Sequence, residues 1–484
     1  MRHSARSWWL DEAGGVGEVA PALVGEVEAD VAVVGGGYTG LWTAWQALAF
    51  GARVVLVEAH VCGHGPSGRN GGFVEDLWLS LPSLRARFGD DGALAVGRAA
   101  DASGAAIGAW CEEEGVDAWY RAGGQLVVST TPAQDGEGAD AVAAAAELGV
   151  VDRVAALSAD EVRERCFSSR FRGGVILPRG ATVQPARLAL GLRRRLIDRG
   201  VEIHERTRVR RVIDRGSEVI LETETPAAEE AGVAAAGGGS FSPVRGRVRA
   251  RHVVLAAGGA LAAFGPLRSR ITVASSHIVL TEPVPDVLEE LGWTGGEAIT
   301  DARRLLHYFR TTPDGRIAFG WAGGRLAMGA RMGGRVEVDP AVAAQARADL
   351  VTLFPQLAGR EVTHAWGGPI DVSPTRLLQI GSLPGGRIHY ALGYTGNGVG
   401  PSHLAGRILA RLATEQRDEL TALPLVGAKA TGLVPPEPLR WLGGSAVLAA
   451  VRRQEAAEER GGRADPITRA VAAIPARLGM TLGR

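Results

Sequence analysis

The chain is 484 residues long, 46% hydrophobic and 22% charged, with 53 acidic side chains against 53 basic ones and a formal net charge of zero. That length exceeds what one ordinary core supports, so two connected domains are expected, and neutrality argues against a broad nucleic-acid footprint or a polybasic membrane surface. Three cysteines (Cys62, Cys111, Cys166) and the lack of a CxxC pair argue against a disulfide framework and against a zinc module.

Residues 1–29 read as a lead-in of polar and small residues. Its apolar stretch, Trp8–Leu10, is too short for a signal peptide, and no later run reaches the roughly 18 apolar residues of a spanning helix. A cytoplasmic protein without membrane attachment is expected. The first strong element is "ADVAVVGGGYTG", where an apolar run stops at three glycines and passes into the helical pattern "LWTAWQALAF". A second apolar run, "ARVVLVEA", follows one crossover helix later, which makes a βαβ unit with parallel strands. Gly35, Gly37 and Gly40 spell G-x-G-x-x-G, with Tyr38 and Thr39 opening the helix. The first glycine permits the tight turn, the second lets the backbone approach a pyrophosphate, and the third permits close helix–strand packing. Amides at the helix start hold phosphate charge. Glu58 ends the second strand, where a carboxylate accepts hydrogen bonds from a ribose. The expected ligand is a dinucleotide with a free 2′-hydroxyl.

The next stretch, "HVCGHGPSGRNGGF", has two readings. His60, Cys62 and His64 could mark the edge of a metal site, but their spacing is compact and no fourth ligand is evident. The favoured reading is a cofactor wrap: Ser67, Asn70 and the amides of Gly71 and Gly72 line pyrophosphate and ring, and Arg69 adds a fixed positive charge.

From about 83 to 200 the pattern is mostly helical, with one short strand at "GQLVVST". "EIHERTRVRRVIDRGSEVILETET" reads as strand, turn, strand, and the small-residue stretch 226–243 as a mobile hairpin insertion. "HVVLAAGG" ends a strand at Ala257 and Gly258, where bulk would clash with a neighbouring backbone or ligand. Residues 270–335 look like antiparallel strands, for example "SSHIVLTEP" and "GRIAFGWA". In "YALGYTGNGVGPSHLAGRILA", Gly396, Asn397, Gly398 and Val399 leave open the amides ahead of a helix expected from Pro401. A helix start suits a group that becomes negative, as reduced flavin does at its N1–C2 carbonyl edge. The three glycine bends together therefore select FAD over NAD. After 425 the chain reads as helical; glutamates interrupt its basic face, so a helix packed on its own domain is preferred to a membrane-surface helix.

With "VEAHVCGHGPSGRNGGF", "HYFRTTPDGRIAFG" and the two glycine turns in this order, the chain resembles the D-amino-acid-oxidase superfamily of FAD amine oxidoreductases over about 30 to 425. The branch it looks most like is the gamma-glutamylputrescine oxidase-like proteins, with glycine and sarcosine oxidases more distant. The resemblance implies an α/β fold, with a Rossmann-like FAD-binding domain and a substrate domain built on a mixed, largely antiparallel sheet. On that pattern 30–82, 150–270 and 360–425 form the FAD domain, 83–149 and 271–359 the substrate domain, and 426–484 a C-terminal helical extension. It implies backbone contact to the adenine end near Val209. It also implies hydride transfer from a neutral amine to flavin, leaving an imine that water hydrolyses, with oxygen or an electron carrier as acceptor. Two departures restrict the transfer. Sarcosine-oxidase relatives attach flavin to a cysteine in the C-terminal half, whereas the last cysteine here is Cys166, so FAD is expected to bind non-covalently. Several oxidases of the family place a lysine above the flavin where Ala318 stands, and the sole lysine here is Lys429.

Such chemistry needs no protein nucleophile but favours a dry aromatic pocket. Its candidates are Tyr308, Trp366, Tyr394 and His277, each of which could equally pack in the sheet; for His277 and for Trp321 packing is preferred. Arg310 would either bind a substrate carboxylate or form a surface pair. His307 is expected on the face opposite Tyr308. Rival readings are a dehydrogenase of the same fold that uses a carrier, a flavin hydroxylase, and a flavin-binding module without turnover.

Overall fold

The computed structural model describes residues 1–225, 244–430, 432 and 434–481; the insertion expected at 226–243 lies outside the described residues. Two sheets organise the chain. In the first, Gly25–Val34 pairs in parallel with Val54–Val57 on one side and with Arg245–Leu255 on the other, and Val54–Val57 pairs in parallel with Glu202–His204. Val54–Val57 is apolar at every position because both faces are covered, as parallel strands with crossover helices require. Arg245–Leu255 also pairs in parallel with Ile388–Leu392 and antiparallel with Val219–Glu224. Val219–Glu224 alternates buried and half-buried residues, the signature of a strand with one wet face.

Helix Tyr38–Ala49 crosses from the first strand to the second, and helix Val399–Ala413 lies beside it. Gly406 makes that approach possible: a Cβ there would stand 2.5 Å from the Cβ of Trp42. Trp42 is fully buried against Trp110 at 5.1 Å and His403 at 4.6 Å, both edge-on. Truncating a tryptophan so placed costs about 3–5 kcal/mol.

The second sheet has nine strands among the described residues, mixed and largely antiparallel. Thr272–Thr281 lies between Val362–Val372 and Ile317–Trp321, followed by His307–Thr311 and Ala298–Asp301. Helix Pro340–Leu353 covers one face, burying Val342, Ala346 and Leu350 against Phe309, Phe319 and Trp321. Asp339 caps that helix by accepting from the backbone N–H groups of Ala341 and Val342.

Sheet membership corrects several expected boundaries. Ala155–Leu157, Gly174–Leu177 and Val362–Val372 belong to the nine-stranded sheet, although 150–270 and 360–425 were assigned to the FAD domain. Helix Leu81–Glu113, assigned to the substrate domain, packs its Trp110 on Trp42 of the dinucleotide unit. The chain passes between the sheets more often than its pattern shows, because strands of three or four residues carry too few alternations to read. The lead-in is structural as well. Arg2–His3 adds a parallel strand to Val362–Val372, and helix Trp8–Glu12 buries Trp8, Trp9 and Leu10. Ser7 caps that helix and donates its hydroxyl to the Gly68 carbonyl, tying the lead-in to the expected cofactor loop.

Candidate active site

A cavity of about 1020 Å³ is lined by residues of both sheets, at the upper end of the roughly 300–1,000 Å³ of ligand pockets. Its first wall is the turn after Gly25–Val34. Gly35 sits at φ +108° with Ala256 O 2.6 Å from where a Cβ would be, and a Cβ on Gly40 would collide with the Gly35 carbonyl. A Cβ on Gly36 would collide with the Cys62 thiol, which is how the cysteine of the "HVCGHG" stretch is used: as buried packing under the turn. Helix Tyr38–Ala49 starts at Gly37 without a side-chain cap, and the Tyr38 N–H donates to Ser67 Oγ at 2.9 Å. Glu58 accepts from Gly36 N at 2.6 Å and His60 N at 2.8 Å; burial raises its pKa, and those two bonds oppose the rise. A turn that tolerates no Cβ, an uncapped helix start and a carboxylate ending the next strand fit the adenosine-diphosphate half of FAD.

The other expected cofactor positions also reach the cavity. Val209 lines it from the strand Arg208–Asp214, and Ala257 and Gly258 line it from the end of Arg245–Leu255, with Gly258 at φ +50°. Gly396, Asn397, Gly398 and Val399 line it at the start of helix Val399–Ala413, which begins two residues before the expected Pro401 and has no side-chain cap. Within the loop, Ser67, Arg69, Asn70 and Gly71 line the cavity. Asn70 shapes the loop itself: Nδ2 donates to the Pro66 and Ser67 carbonyls, and Oδ1 accepts from Gly72 N at 2.7 Å. Arg69 differs from expectation. Its guanidinium donates to Glu337 at 2.7 Å and to the His64 carbonyl at 2.9 Å, so the charge joins the loop to the substrate side and is already neutralised. Gly72 stands behind the lining, where a Cβ would collide with the Val183 carbonyl.

Residues 30–412 match the DAO family of FAD dependent oxidoreductases. The chain belongs to that family. Among curated relatives, a probable oxidoreductase OrdL of Rhizobium meliloti is 29% identical over 413 residues, covering 84% of this chain and 87% of that protein. The gamma-glutamylputrescine oxidoreductase of Escherichia coli is 28% identical, covering 82% and 87% respectively. In fold the chain is similar to glycine oxidase from Geobacillus kaustophilus, with a TM-score of 0.64 at 20% identity over 84% of this chain and 100% of that one. It is likewise similar to L-proline dehydrogenase from P. horikoshii, with a TM-score of 0.61 at 16% identity over 84% and 96%.

In this DAO-family chain the five substrate-pocket candidates separate. Tyr308 and Tyr394 line the cavity. The Tyr308 ring lies over Gly71 and Gly320, where a Cβ would strike it, and its hydroxyl is 2.7 Å from Ser276 Oγ; burial pushes the phenol up to about 12. The Tyr394 hydroxyl lies 2.6 Å from Thr39 Oγ1. Trp366, His277 and Arg310 are off the cavity. Trp366 Nε1 donates to the Arg69 carbonyl at 2.9 Å while its ring packs edge-on to Trp9 at 6.0 Å. His277 is buried beside Gly367, and burial lowers its pKa to about 4. Arg310 donates to the Val183 and Gly72 carbonyls and lies 5.7 Å from the Trp9 ring centre; burial, then Arg121, disfavours its cation. For Trp366 and Arg310 the reason is the lead-in helix, whose Trp8, Trp9 and Leu10 form one apolar cluster with Trp366, Ile278 and Ala318 and whose Trp9 faces Arg310. His277 alternates with Ile278 to the opposite face, near Asp339 and Arg325. His307 faces away from Tyr308 as expected, buried between Asp301 and Asp349.

Three features escaped the sequence reading. Asp371 lines the cavity and accepts from Gly393 N at 2.6 Å; burial pushes its carboxyl up to about 7. Glu205, fully buried, accepts from Cys62 N and Ala20 N and takes a two-pronged bond from Arg193, both arms at 2.8 Å. The C-terminal helices, expected as an extension packed on its own domain, also wall one end of the cavity. An isolated glutamate or aspartate has no spacing signal, and a helix pattern does not say which surface it covers.

Proposed function

We propose that this protein oxidises the C–N bond of a small amine or amino acid with non-covalently held FAD. The observation that carries this is the single cavity running from the dinucleotide turn at Gly35–Gly40 to the Tyr308–Ser276 wall, so that one ligand site continues into another. When bound, the flavin supplies the ring that accepts hydride from the substrate carbon. The chain's own part is to orient the amine, to exclude water, and to place positive potential where charge develops. The start of helix Val399–Ala413 does the last, through amides that no side chain caps. Tyr308 and Tyr394 provide aromatic faces for the amine. The names of the E. coli and G. kaustophilus proteins support an amine or amino acid as substrate. Non-covalent binding is supported by the cysteines, all buried and none on the cavity.

A second reading gives the electrons to a carrier, with oxygen a poor acceptor. Lys429, the sole lysine, is exposed and off the cavity, and Ala318 lies in the tryptophan cluster. No helix among the described residues is long and apolar enough to cross a membrane, and we place the protein in the cytoplasm. The test is an anaerobic amine panel scored by flavin bleaching, then peroxide release in air compared with reduction of an artificial dye. Failure of every amine to bleach the flavin rejects the proposal.

A further inference from the structure

The helices after residue 425 fall beyond the family match at 30–412, yet they form a wall of the cavity. Helix Leu439–Glu459 contributes Val447 and Leu448, and the segment around Pro466–Ala472 and Ile474–Arg477 contributes Val471, Ile474 and Leu478. Leu439, Ile474 and Leu478 are 63%, 40% and 63% exposed while also lining the cavity, so they stand at an opening. Leu305, Leu306 and Leu326 add apolar surface to the same lining. Among the other exposed lining residues, His60, Gly65 and Pro66 lie at the dinucleotide loop, and Ala263, Arg304 and Gly396 lie elsewhere on the lining. The C-terminal wall is fastened in place: Arg303 bridges Asp301 and Glu459, Glu455 accepts from Leu305 N at 3.0 Å, and Arg452 donates to the Gly323 and Gly324 carbonyls. The acids on the cavity are Glu58, Glu75 and Asp371, and the described part of the C-terminal segment contributes none. A second ammonium group entering there would lose water without a carboxylate to replace it.

We propose that these helices are an apolar substrate port, which selects amines bearing a sizeable aliphatic or aromatic substituent over hydrophilic amines and polyamines. This rests on the amine-oxidising function proposed above, but its test does not need turnover. Amines with a fully substituted α-carbon have no hydrogen there to give up, so they bind without reacting. The FAD-loaded full chain is titrated with tert-butylamine, longer tert-alkylamines and the hydroxylated counterpart tris(hydroxymethyl)aminomethane, following perturbation of the flavin absorption bands. Affinity is expected to rise about fourfold per added methylene, which corresponds to about 0.8 kcal/mol of transfer, and the hydroxylated amine to bind more weakly than tert-butylamine. The exposed-site variant Ile474→Asn/Leu478→Asn should keep its FAD content and melting temperature while that gradient flattens. Equal affinity along the series, equal binding of the hydroxylated amine, or an unchanged gradient in the variant each overturns the port. A panel in which oxidisable amines never bleach the flavin overturns the function instead, and leaves the binding series to decide the port.

Discussion

The Tyr394 hydroxyl and the Thr39 hydroxyl, 2.6 Å apart, join the glycine turn before helix Val399–Ala413 to the first turn of helix Tyr38–Ala49. Two helix starts that face one cavity are thus held in register by one bond between residues 355 positions apart. Burial raises the Tyr394 phenol above its usual range, so it keeps its proton and stays neutral. Tyr394→Phe keeps the ring and removes the bond, at a net cost of about 0.5–1.5 kcal/mol. The expected result is weaker FAD retention with little change in overall fold, read by flavin release on dilution. Retention equal to the parent would show that the bond does not set the spacing.

Gly40 and Gly443 form a pair of opposite tests. A Cβ on Gly40 meets the Gly35 carbonyl head-on, whereas nothing lies within 4 Å of a Cβ on Gly443 in helix Leu439–Glu459. Gly40→Ala must push the helix off the turn and is expected to yield protein without FAD. Gly443→Ala removes backbone freedom from the unfolded chain at no steric cost and should stabilise by about 0.5–1 kcal/mol. Flavin absorbance and thermal melting of the two variants check both signs.

The buried Arg193–Glu205 pair fastens three pieces of chain: helix Pro185–Asp198, the lead-in through Ala20, and the cofactor loop through Cys62. Arg193→Met leaves an uncompensated buried carboxylate, which costs about 3–5 kcal/mol. Denaturant unfolding should register that loss. A loss below about 1 kcal/mol would mean that Glu205 finds a proton or water at little cost.

Much of this site was legible because its requirements are local. Gly35, Gly37 and Gly40 must lack a Cβ, Glu58 must end a strand, and the turn at 396–399 must precede a helix, so each leaves a short-range mark. Tyr308 and His307 were sorted to opposite faces by strand alternation alone. For Trp366 and Arg310 the sequence left pocket and packing open for a non-local reason: Trp9, more than 300 residues earlier for Arg310, occupies the sheet face they share. The same blindness hid the C-terminal wall. Val447 and Val471 carry an ordinary apolar pattern, and only the tertiary fold shows that part of it faces the cavity.

The clasp between that wall and the substrate sheet should loosen as pH rises through neutrality. Burial works against the His307 cation, but Asp301, 2.6 Å from Nδ1, and Asp349, 3.1 Å from Nε2, outweigh it and hold its pKa above the ordinary value. Its stabilisation is therefore complete below the unfolded value and lost as pH climbs through the raised native one. Glu455, beside Arg303 and accepting from Leu305 N, is pushed by burial from 4.5 up to about 7. Its native form holds the proton more tightly than the unfolded chain does, so stability falls as pH rises from about 4.5 to about 7, by up to roughly 3 kcal/mol. Both groups act in the same direction. Glu455→Gln keeps an acceptor for Leu305 and cannot ionise, so its melting temperature should fall less than the parent's between pH 5 and pH 8, values chosen to bracket that window. Only the difference between the two proteins isolates this group, because Asp76 and Asp371 are also pushed up to about 7. Parallel curves would mean that Glu455 keeps one protonation state throughout, and that the clasp is insensitive to its charge.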